Sequence, residues 1–175
     1  FSKVDFPAPF YQLNQQLFEL AKAFYQAPQN ALTMIGITGT NGKTSTSQMI
    51  AQLLDTSGKS CSVIGTNGAG KVAQLSPINN TTPGASQLHQ LLQEFREAQQ
   101  SHVAMEVSSH ALAQGRVTAS LFDTAIFTNL TRDHLDYHQT MENYAQAKYQ
   151  IFTQTAAQIA IVNGDDEQAK RLSDV

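Results

Sequence analysis

The residue types most typical of a chemical site lie in the run Ile37-Thr-Gly-Thr-Asn-Gly-Lys-Thr44. A short apolar run precedes it and a helical pattern follows, so a glycine-rich turn would present backbone N–H groups at a helix N-terminus, which favours anions. In such a loop the Lys43 ammonium can reach nucleotide phosphates, and the Thr44 hydroxyl can bind Mg²⁺. Ile37 stands where the strict motif has its first glycine, so the alternative is a glycine turn without a ligand. We interpret the run as a phosphate-binding loop.

Glu106 is the second candidate, because it lies in the otherwise apolar strand pattern of residues 102–107. A buried carboxylate is unfavourable unless it is paired or metal-bound, and Mg²⁺ is its natural partner beside a phosphate-binding loop. The alternative is a carboxylate that accepts hydrogen bonds from Ser108 or Ser109. The segment 129–138 is also dense in polar groups, which either contribute a metal ligand or hold the loop together. They are Asp133, His134, Asp136 and His138.

Lys148 is the third candidate, because it falls on the apolar face of a predicted helix. The stripe recurs at i, i+3, i+4, i+7, i+8 and i+11, and its members are Met141, Tyr144, Ala145, Lys148, Tyr149 and Phe152. A buried lysine loses its charge readily, and a neutral amine is reactive. The alternative is an exposed ammonium whose stem runs along the helix to water. The residues alone favour the exposed ammonium.

The elements that must position these residues alternate between strands and helices, and this order predicts an α/β fold. We expect a mostly parallel sheet of the phosphate-binding-loop type with helices on both faces. The predicted strands are 33–38, 60–66, 102–107, 123–128 and 158–162, and the predicted helices are 44–55, one around 88–95, and 141–152. Residues 1–31 contain one amphipathic helix, and residues 67–83 form a loop or hairpin.

Side-chain directions and caps follow from the same pattern. In the 44–55 helix the residues expected to face inward are Met49, Ile50, Leu53 and Leu54. Thr140 is expected to cap the 141–152 helix, and the pair Asp165-Asp166 to cap a later one.

Polar segments directly follow four of the predicted strands or their turns. They are residues 39–44, 66–70, 106–110 and 129–138. Ligands of such sheets bind beyond the carboxyl ends of the strands, so these segments should meet at one edge. The sequence thus predicts a single site that joins the phosphate-binding loop to Glu106.

The composition narrows the function classes. The chain has 175 residues, enough for one domain, and a net charge of −3, which argues against nucleic-acid binding. It has no run of 18 apolar residues and no signal-peptide pattern, so a membrane partner is not expected. Cys61 is the single cysteine, and we expect a cytoplasmic monomer without disulfides. Because the first residue is Phe1 rather than Met, we expect a fragment.

Together these motifs resemble the Mur ligase family, and within it the tripeptide-synthetase type. The resemblance covers roughly residues 31–165. It rests on Thr38–Thr44, Asn80–Thr82, Met105–His110, Gln114–Arg116, Phe127–His138 and Ala147–Lys148. The loop form is shared with folylpolyglutamate synthases, and the family also lacks the first glycine. The runs Glu-Val-Ser-Ser-His and Arg-Asp-His-Leu-Asp-Tyr-His are more specific.

The resemblance implies the central ATPase domain of a three-domain ligase. Residues 1–31 would be a linker or remnant of the preceding domain, and residues 32–175 an incomplete central domain. The amino-terminal uridine-nucleotide-binding domain and the carboxy-terminal amino-acid-binding domain would be absent, so we expect the fragment to be inactive alone. The implied reaction is ATP-dependent amide formation on UDP-MurNAc-L-Ala-D-Glu through an acyl phosphate. Meso-diaminopimelate is the expected amino acid, with L-lysine left open.

The resemblance also implies residue roles. Lys43, Glu106, His134 and Lys148 would be the catalytic set. The triphosphate of ATP would be held by Gly39, Thr40, Asn41, Gly42, Lys43, Thr44 and Ser45. Mg²⁺ would be bound by Thr44, Glu106, His134 and Lys148, the last as a carbamate formed with CO₂, which reverses the preference for an exposed ammonium. The UDP-MurNAc-dipeptide would contact Asn80, Thr81, Thr82, Ser108, Gln114 and Arg116.

Two other function classes stay open. The first is a related ATP-dependent ligase, of the folylpolyglutamate or cyanophycin synthetase kind. A comparison of folate binding with UDP-MurNAc-dipeptide binding would distinguish it. The second is a nucleotide-binding module without chemistry, which ATP turnover with substrate would exclude.

Overall fold

One mixed sheet lies at the centre of the computed structural model, which describes residues 8–153 and 159–170. In chain order the elements are α1 (Ala8–Phe24), β1 (Thr33–Thr38), α2 (Lys43–Thr56), β2 (Cys61–Gly65), β3 (Gly68–Lys71), β4 (Gln74–Ser76), α3 (Ala85–Glu97), β5 (His102–Glu106), α4 (Ser109–Ala113), β6 (Thr124–Phe127), α5 (Leu135–His138), α6 (Met141–Thr153), β7 (Ile159–Val162) and α7 (Glu167–Lys170). Within those residues, no helix combines the length and apolarity of a membrane span.

The strands that the structure describes follow the order β4-β3-β2-β5-β1-β6-β7. Strands β2, β5, β1, β6 and β7 are parallel, which confirms the predicted sheet. Strands β3 and β4 form an antiparallel hairpin at one edge, so the hairpin is the correct alternative for residues 67–83. Gln158, the first residue of the last predicted strand, lies outside the described residues. The division of the chain at residue 31 stays a prediction.

The two faces of the sheet carry different helices, as predicted. Helices α1, α3, α4 and α6 cover one core, to which the sheet contributes Met34, Ile64 and Met105. Helix α2 covers the other, to which the sheet contributes Val63 and Ala104. Successive strand residues point to opposite faces, so Glu106 lies on the α2 face, two positions after Ala104. The strand pattern therefore aims the carboxylate at the start of α2.

One part of the helix prediction is wrong. Met49 and Leu53 are 60% and 67% exposed on α2, whereas Ile50 and Leu54 pack against the core as expected. The helix approaches the sheet through Ala51, which is fully buried. The prediction weighted large apolar side chains, but a small residue lets the helix backbone come close to the strands.

The predicted caps are present. The Asn143 N–H donates to Thr140 Oγ1 over 3.1 Å at the start of α6. Asp166, rather than Asp165, caps α7, because its Oδ1 accepts from Gln168 N at 2.9 Å and from Ala169 N at 3.2 Å. These bonds satisfy N–H groups that the first turn of a helix leaves without partners.

Candidate functional site

A polar cavity of about 480 Å³ lies at the carboxyl edge of the sheet, and residues from all four predicted polar segments line it. The prediction that these four segments meet at one edge is therefore confirmed. The lining residues are Thr40, Asn41, Gly42, Lys43, Thr44, Thr66, Asn80, Thr81, Thr82, Glu106, Ser108, His110, Arg116 and His134. A larger groove of about 660 Å³ beside α1 has mainly apolar side chains such as Leu17, Leu20 and Phe24, which lack the donors that an anion needs.

The loop between β1 and α2 has an open helix N-terminus. Gly42 is the N-cap of α2 with a φ of 84°, and no side chain caps the first turn. A Cβ placed on Gly42 would have nothing within 4 Å, so no described protein atom fills the space next to Gly42. Helix α2 also has no acidic residue in its first turn. Unsatisfied N–H groups and the helix dipole together suit a phosphate group.

The segment after β6 fixes the position of this loop. The Asn129 side-chain oxygen accepts from Asn41 N at 3.0 Å, and the Asn129 carbonyl accepts from Thr40 N at 2.9 Å. Thr128 Oγ1 donates to the Asn41 carbonyl over 2.7 Å. Gly39 has a φ of 145°, and a Cβ there would come within 1.9 Å of Thr128 Oγ1. Only glycine therefore fits at position 39.

Lys43 folds back over the loop. Its Nζ donates to the Gly39 carbonyl at 3.0 Å and to the Thr40 carbonyl at 2.9 Å. Burial lowers the pKa of this lysine, and the charges of Glu106 and Asp133 oppose the shift. The ammonium thus lies where phosphate oxygens above the loop could replace the two carbonyls.

Glu106 is only 1% exposed, and its carboxylate is held by hydroxyl and amide groups. Oε2 accepts from Thr44 Oγ1 at 3.0 Å and from Thr66 Oγ1 at 3.2 Å, while Oε1 accepts from Thr66 N at 3.0 Å. The alternative of a hydroxyl-bonded carboxylate is therefore confirmed in kind, but its two named serines are wrong. The Ser108 hydroxyl caps α4 and the Ser109 hydroxyl bonds to His138.

The oxygen atoms of Glu106 and its neighbours are suitable ligands for a hard divalent cation. Among the described residues, none of the ion pairs involves this buried carboxylate. A carboxylate and the Thr44 hydroxyl beside an open, polar cavity are the oxygen ligands that Mg²⁺ takes, with water and phosphate oxygens completing the set. No three of the described His, Cys, Asp and Glu residues converge on a metal position of their own. A cation here would therefore depend on oxygens supplied by the nucleotide.

Lys148 is buried, so the exposed-ammonium alternative is wrong. The side chain is 1% exposed, its Nζ donates to the Gly39 carbonyl at 2.8 Å, and it lies 4.6 Å from the Tyr144 ring centroid. Burial, and to a smaller extent the Lys43 charge, lower the pKa of Lys148 to about 7, and the Asp133 charge opposes the shift. Lys148 therefore lies beneath the loop and does not line the cavity.

The segment 80–82 is fixed to the end of β5. The Thr82 hydroxyl donates to the Glu106 carbonyl and accepts from Ser108 N, both over 2.9 Å. Arg116 Nη1 donates to the Thr82 carbonyl at 3.1 Å, and Arg116 Nε donates to Gln114 Oε1 at 2.8 Å. Gln114 thus orients the guanidinium without lining the cavity itself.

The two histidines of the segment 129–138 have different surroundings. His134 lines the cavity at a φ of 52°, with its ring centroid 5.0 Å from that of His110. His138 is buried, bonds to Ser109 Oγ at 2.9 Å, and has a pKa that burial lowers to about 4. Asp133 Oδ1 accepts from His134 N at 2.8 Å. For His138 and Asp133, the correct alternative is therefore that these side chains hold the loop together.

A family model described as the Mur ligase middle domain matches residues 37–175. The chain belongs to the Mur ligase family. It is 51% identical over 158 residues to the UDP-N-acetylmuramoyl-L-alanyl-D-glutamate–2,6-diaminopimelate ligase of Haemophilus influenzae, covering 90% of this chain and 32% of that protein. The enzyme of the same name in Coxiella burnetii is 49% identical, over 94% of this chain and 34% of that protein. The chain spans about a third of the length of these curated relatives.

Solved structures agree with the family. A UDP-N-acetylmuramoyl-L-alanyl-D-glutamate–2,6-diaminopimelate ligase has a TM-score of 0.79 and 35% identity, over 91% of this chain and 33% of that chain. The Mycobacterium tuberculosis folylpolyglutamate synthase, solved with ADP and AMPPCP, has a TM-score of 0.69 at 16% identity, over 90% of this chain and 43% of that chain. The second likeness shows a common fold.

Sequence reasoning about this Mur ligase domain assigned no role to two residues that line the cavity, Thr66 and His110. Both belong to polar segments that directly follow strands, and His110 also ends the Glu-Val-Ser-Ser-His run, so these were the signals that could have found them. Conversely, Gly39, Ser45, Gln114 and Lys148 are not among the lining residues of this cavity. Gly39 and Lys148 contact each other beneath the loop, and Ser45 is exposed on the first turn of α2.

Proposed function

We propose that the whole protein is an ATP-dependent ligase of cytoplasmic peptidoglycan precursor synthesis, acting as a monomer, and that this segment carries its ATP site. It would join 2,6-diaminopimelate, in the meso form, to UDP-MurNAc-L-Ala-D-Glu, and so serve cell-wall growth, shape and division. The observation that carries the proposal is the single cavity that unites the Lys43 loop, the buried Glu106 carboxylate and the 80–82 segment. The relatives named for this reaction support the choice of substrates.

The phosphates of ATP would lie on the N–H groups of residues 39–45, with the Lys43 ammonium on the β- and γ-phosphate oxygens. Mg²⁺ bound by Thr44 and Glu106, with His134 nearby, would neutralise phosphate charge. Preorganised donors of this kind stabilise the transferring phosphoryl group, whose charge otherwise repels an anionic nucleophile.

The substrate carboxylate would approach from the side of Asn80, Thr81, Thr82 and Ser108, with Arg116 as its cationic partner. A carboxylate oxygen forms a bond to the γ-phosphorus, the bond from that phosphorus to the β–γ bridging oxygen breaks, and ADP leaves. The amino nitrogen of diaminopimelate then attacks the acyl carbon, the C–O bond to phosphate breaks, and the nitrogen loses a proton. Gln114 keeps the Arg116 guanidinium in place through its 2.8 Å bond.

Lys148 would act as a carbamate. A pKa of about 7 leaves much of the amine neutral near neutral pH, and only the neutral amine attacks CO₂. The nitrogen forms a bond to the carbon of CO₂ and loses a proton, which leaves an anionic group that could serve as a further Mg²⁺ ligand. Burial beneath the loop supports the neutral amine, because desolvation disfavours the charged ammonium.

The first test uses the full-length protein and measures ADP formation with ATP, Mg²⁺, UDP-MurNAc-L-Ala-D-Glu and diaminopimelate. Repeated turnover to ADP should need both UDP-MurNAc-L-Ala-D-Glu and diaminopimelate, because the acyl phosphate is not consumed without the amine, and folate should not replace the dipeptide. Lys43→Ala should weaken ATP binding about 10- to 100-fold, the loss expected for a charge-assisted contact. Lys59→Ala, which removes an exposed lysine just beyond α2, is the matched control. Unchanged ATP affinity in Lys43→Ala would contradict the phosphate assignment.

The second test concerns the carbamate. Lys148→Ala should lose activity that added acetate or formate partly restores, because a small carboxylate can occupy the cavity left by the side chain. Lys148→Arg should stay inactive although it keeps a positive charge. An active arginine variant would mean that the cation matters, and the carbamate proposal would be wrong.

A further inference from the structure

Thr66, the residue after β2, contacts two separate parts of the site. Its N–H donates to Glu106 Oε1 at 3.0 Å, and its Oγ1 lies 3.2 Å from Glu106 Oε2. The same Oγ1 lies 3.0 Å from Thr81 Oγ1 in the 80–82 segment. One residue therefore holds both oxygens of the buried carboxylate and also touches the segment assigned to the acceptor substrate.

The direction of these bonds follows from the number of protons available. An ionised carboxylate only accepts, and a threonine hydroxyl has a single proton. Thr66 must therefore donate to Glu106 Oε2, and Thr81 must donate to Thr66. Thr44 donates to the same Oε2 from the phosphate loop at 3.0 Å, so this oxygen is held from both sides.

The space around the carboxylate leaves it little freedom. Glu106 lies beside Gly65, where even a Cβ would approach Oε1 to 2.1 Å. Without the Thr66 hydroxyl, the carboxylate would keep one donor on each oxygen, the Thr66 N–H and the Thr44 hydroxyl. Thr44 also belongs to the proposed cation site, so it cannot fix the orientation independently of the cation.

We propose that Thr66 is a positioning residue, which holds the Glu106 carboxylate in the orientation that receives a divalent cation. The inference rests on the proposed function, since the cation and the nucleotide are parts of it. Thr66 would act through Glu106, because it bonds to both oxygens of that carboxylate. Outer groups that orient a metal ligand typically contribute about 10- to 100-fold to metal affinity or activity.

The experiment measures Mn²⁺ affinity by electron paramagnetic resonance, with the full-length protein saturated by a non-hydrolysable ATP analogue. Thr66→Val keeps the shape and the N–H but removes the hydroxyl, and should weaken Mn²⁺ binding about 10- to 100-fold. Thr66→Ser keeps the hydroxyl and should bind Mn²⁺ nearly as tightly as the parent, since the donor remains. Thr118→Val removes a hydroxyl that pairs with Ser120, away from the cavity, and should leave Mn²⁺ binding unchanged.

A split in the kinetics is the second readout. In Thr66→Val the Mg²⁺ concentration for half-maximal activity should rise, while kcat at saturating Mg²⁺ falls less. Thr66→Ala replaces Thr66→Val if the valine variant does not fold. If the parent and the folded variant without the hydroxyl bind Mn²⁺ equally tightly, the inference about Thr66 is overturned. The proposed cation site is not affected by that result. Absence of Mn²⁺ binding in the parent overturns the proposed cation site and this inference with it.

Discussion

Gly65→Ala should separate the Glu106 carboxylate from its donors while leaving the backbone intact. Gly65 ends β2, and its φ lies outside the left-handed region, so alanine fits the local conformation. In a strand interior that change normally stabilises by about 0.5–1 kcal/mol, because glycine loses more conformational entropy on folding. Here the added Cβ would lie 2.1 Å from Glu106 Oε1 and 2.6 Å from Cδ. Any loss of stability or binding therefore reports the contact with Glu106.

The size of the effect follows from that distance. Ordinary van der Waals contact begins near 3.4 Å, so Oε1 has to retreat by about 1.3 Å. Such a movement breaks the 3.0 Å bond from Thr66 N, and rotation of the carboxylate also disturbs the bond from Thr44. Each hydrogen bond to a charged group contributes about 1.5–3 kcal/mol. The loss should exceed the intrinsic gain from alanine.

Two measurements on the full-length protein would detect it. The Thr66 amide, now protected by Glu106 Oε1, should exchange about 10- to 150-fold faster, which corresponds to loss of one such bond. Mg-ADP affinity, measured by isothermal titration calorimetry, should fall at least about tenfold. Gly164→Ala is the matched control, because a Cβ there meets nothing within 4 Å. If the two alanine variants show the same Mg-ADP affinity and Gly65→Ala leaves Thr66 exchange unchanged, the reasoning is refuted.

Three further predictions concern charge and caps. Glu106→Gln keeps the shape and removes the charge, so the Mg²⁺ dependence of full-length activity should shift about tenfold or more upward; an identical titration would make Glu106 a structural residue. Burial lowers the pKa of Lys148 to about 7 from 10.5, so the unfolded chain binds more protons between these values. In CO₂-depleted buffer, stability should therefore rise with pH in that window, by up to about 1.4 kcal/mol per pH unit, and Lys148→Met should remove the rise in denaturation curves. Asp166→Ala should cost about 1–2 kcal/mol by chemical denaturation, because Asp166 caps α7 and accepts from Leu130 N at 2.9 Å, whereas Asp165→Ala should cost less.

The general plan of the fold could be predicted because it depends on order and periodicity. Strand and helix patterns alternate, and parallel strands place their carboxyl ends at one edge, so the four polar segments had to meet there. The register of β1 against β5, which pairs Ile37 with Glu106, brings the phosphate loop beside the carboxylate. No side-chain detail was needed for that conclusion.

Details that depend on packing distance could not be predicted. The inward face of α2 is set by the small Ala51, and hydrophobicity alone favoured Met49 and Leu53, which are exposed. The sequence suggests Ser108 and Ser109 as partners of Glu106, but the hydroxyl partners are Thr44 and Thr66, on two other segments. Only the register and the strand order bring those residues together.

The burial of Lys148 also depends on a tertiary contact that the sequence does not show. Its periodicity placed it on the apolar face, but the acceptor that makes burial tolerable is the Gly39 carbonyl, 109 residues earlier. A backbone carbonyl has two lone pairs, and no sequence pattern shows which donors will reach them. The exposed ammonium was therefore the better expectation from α6 alone, and the tertiary fold reverses it.

The Gly39 carbonyl also links the two lysines of the site. It accepts from Lys43 Nζ at 3.0 Å and from Lys148 Nζ at 2.8 Å, and burial lowers the pKa of both. Two ammonium groups on one oxygen repel each other, so the arrangement favours a neutral Lys148 beside a charged Lys43. If phosphate draws Lys43 away from the loop carbonyls, that repulsion weakens, and Lys148 holds Gly39 alone. While the Lys148 amine is unmodified, we therefore expect nucleotide binding to influence its protonation through this backbone oxygen.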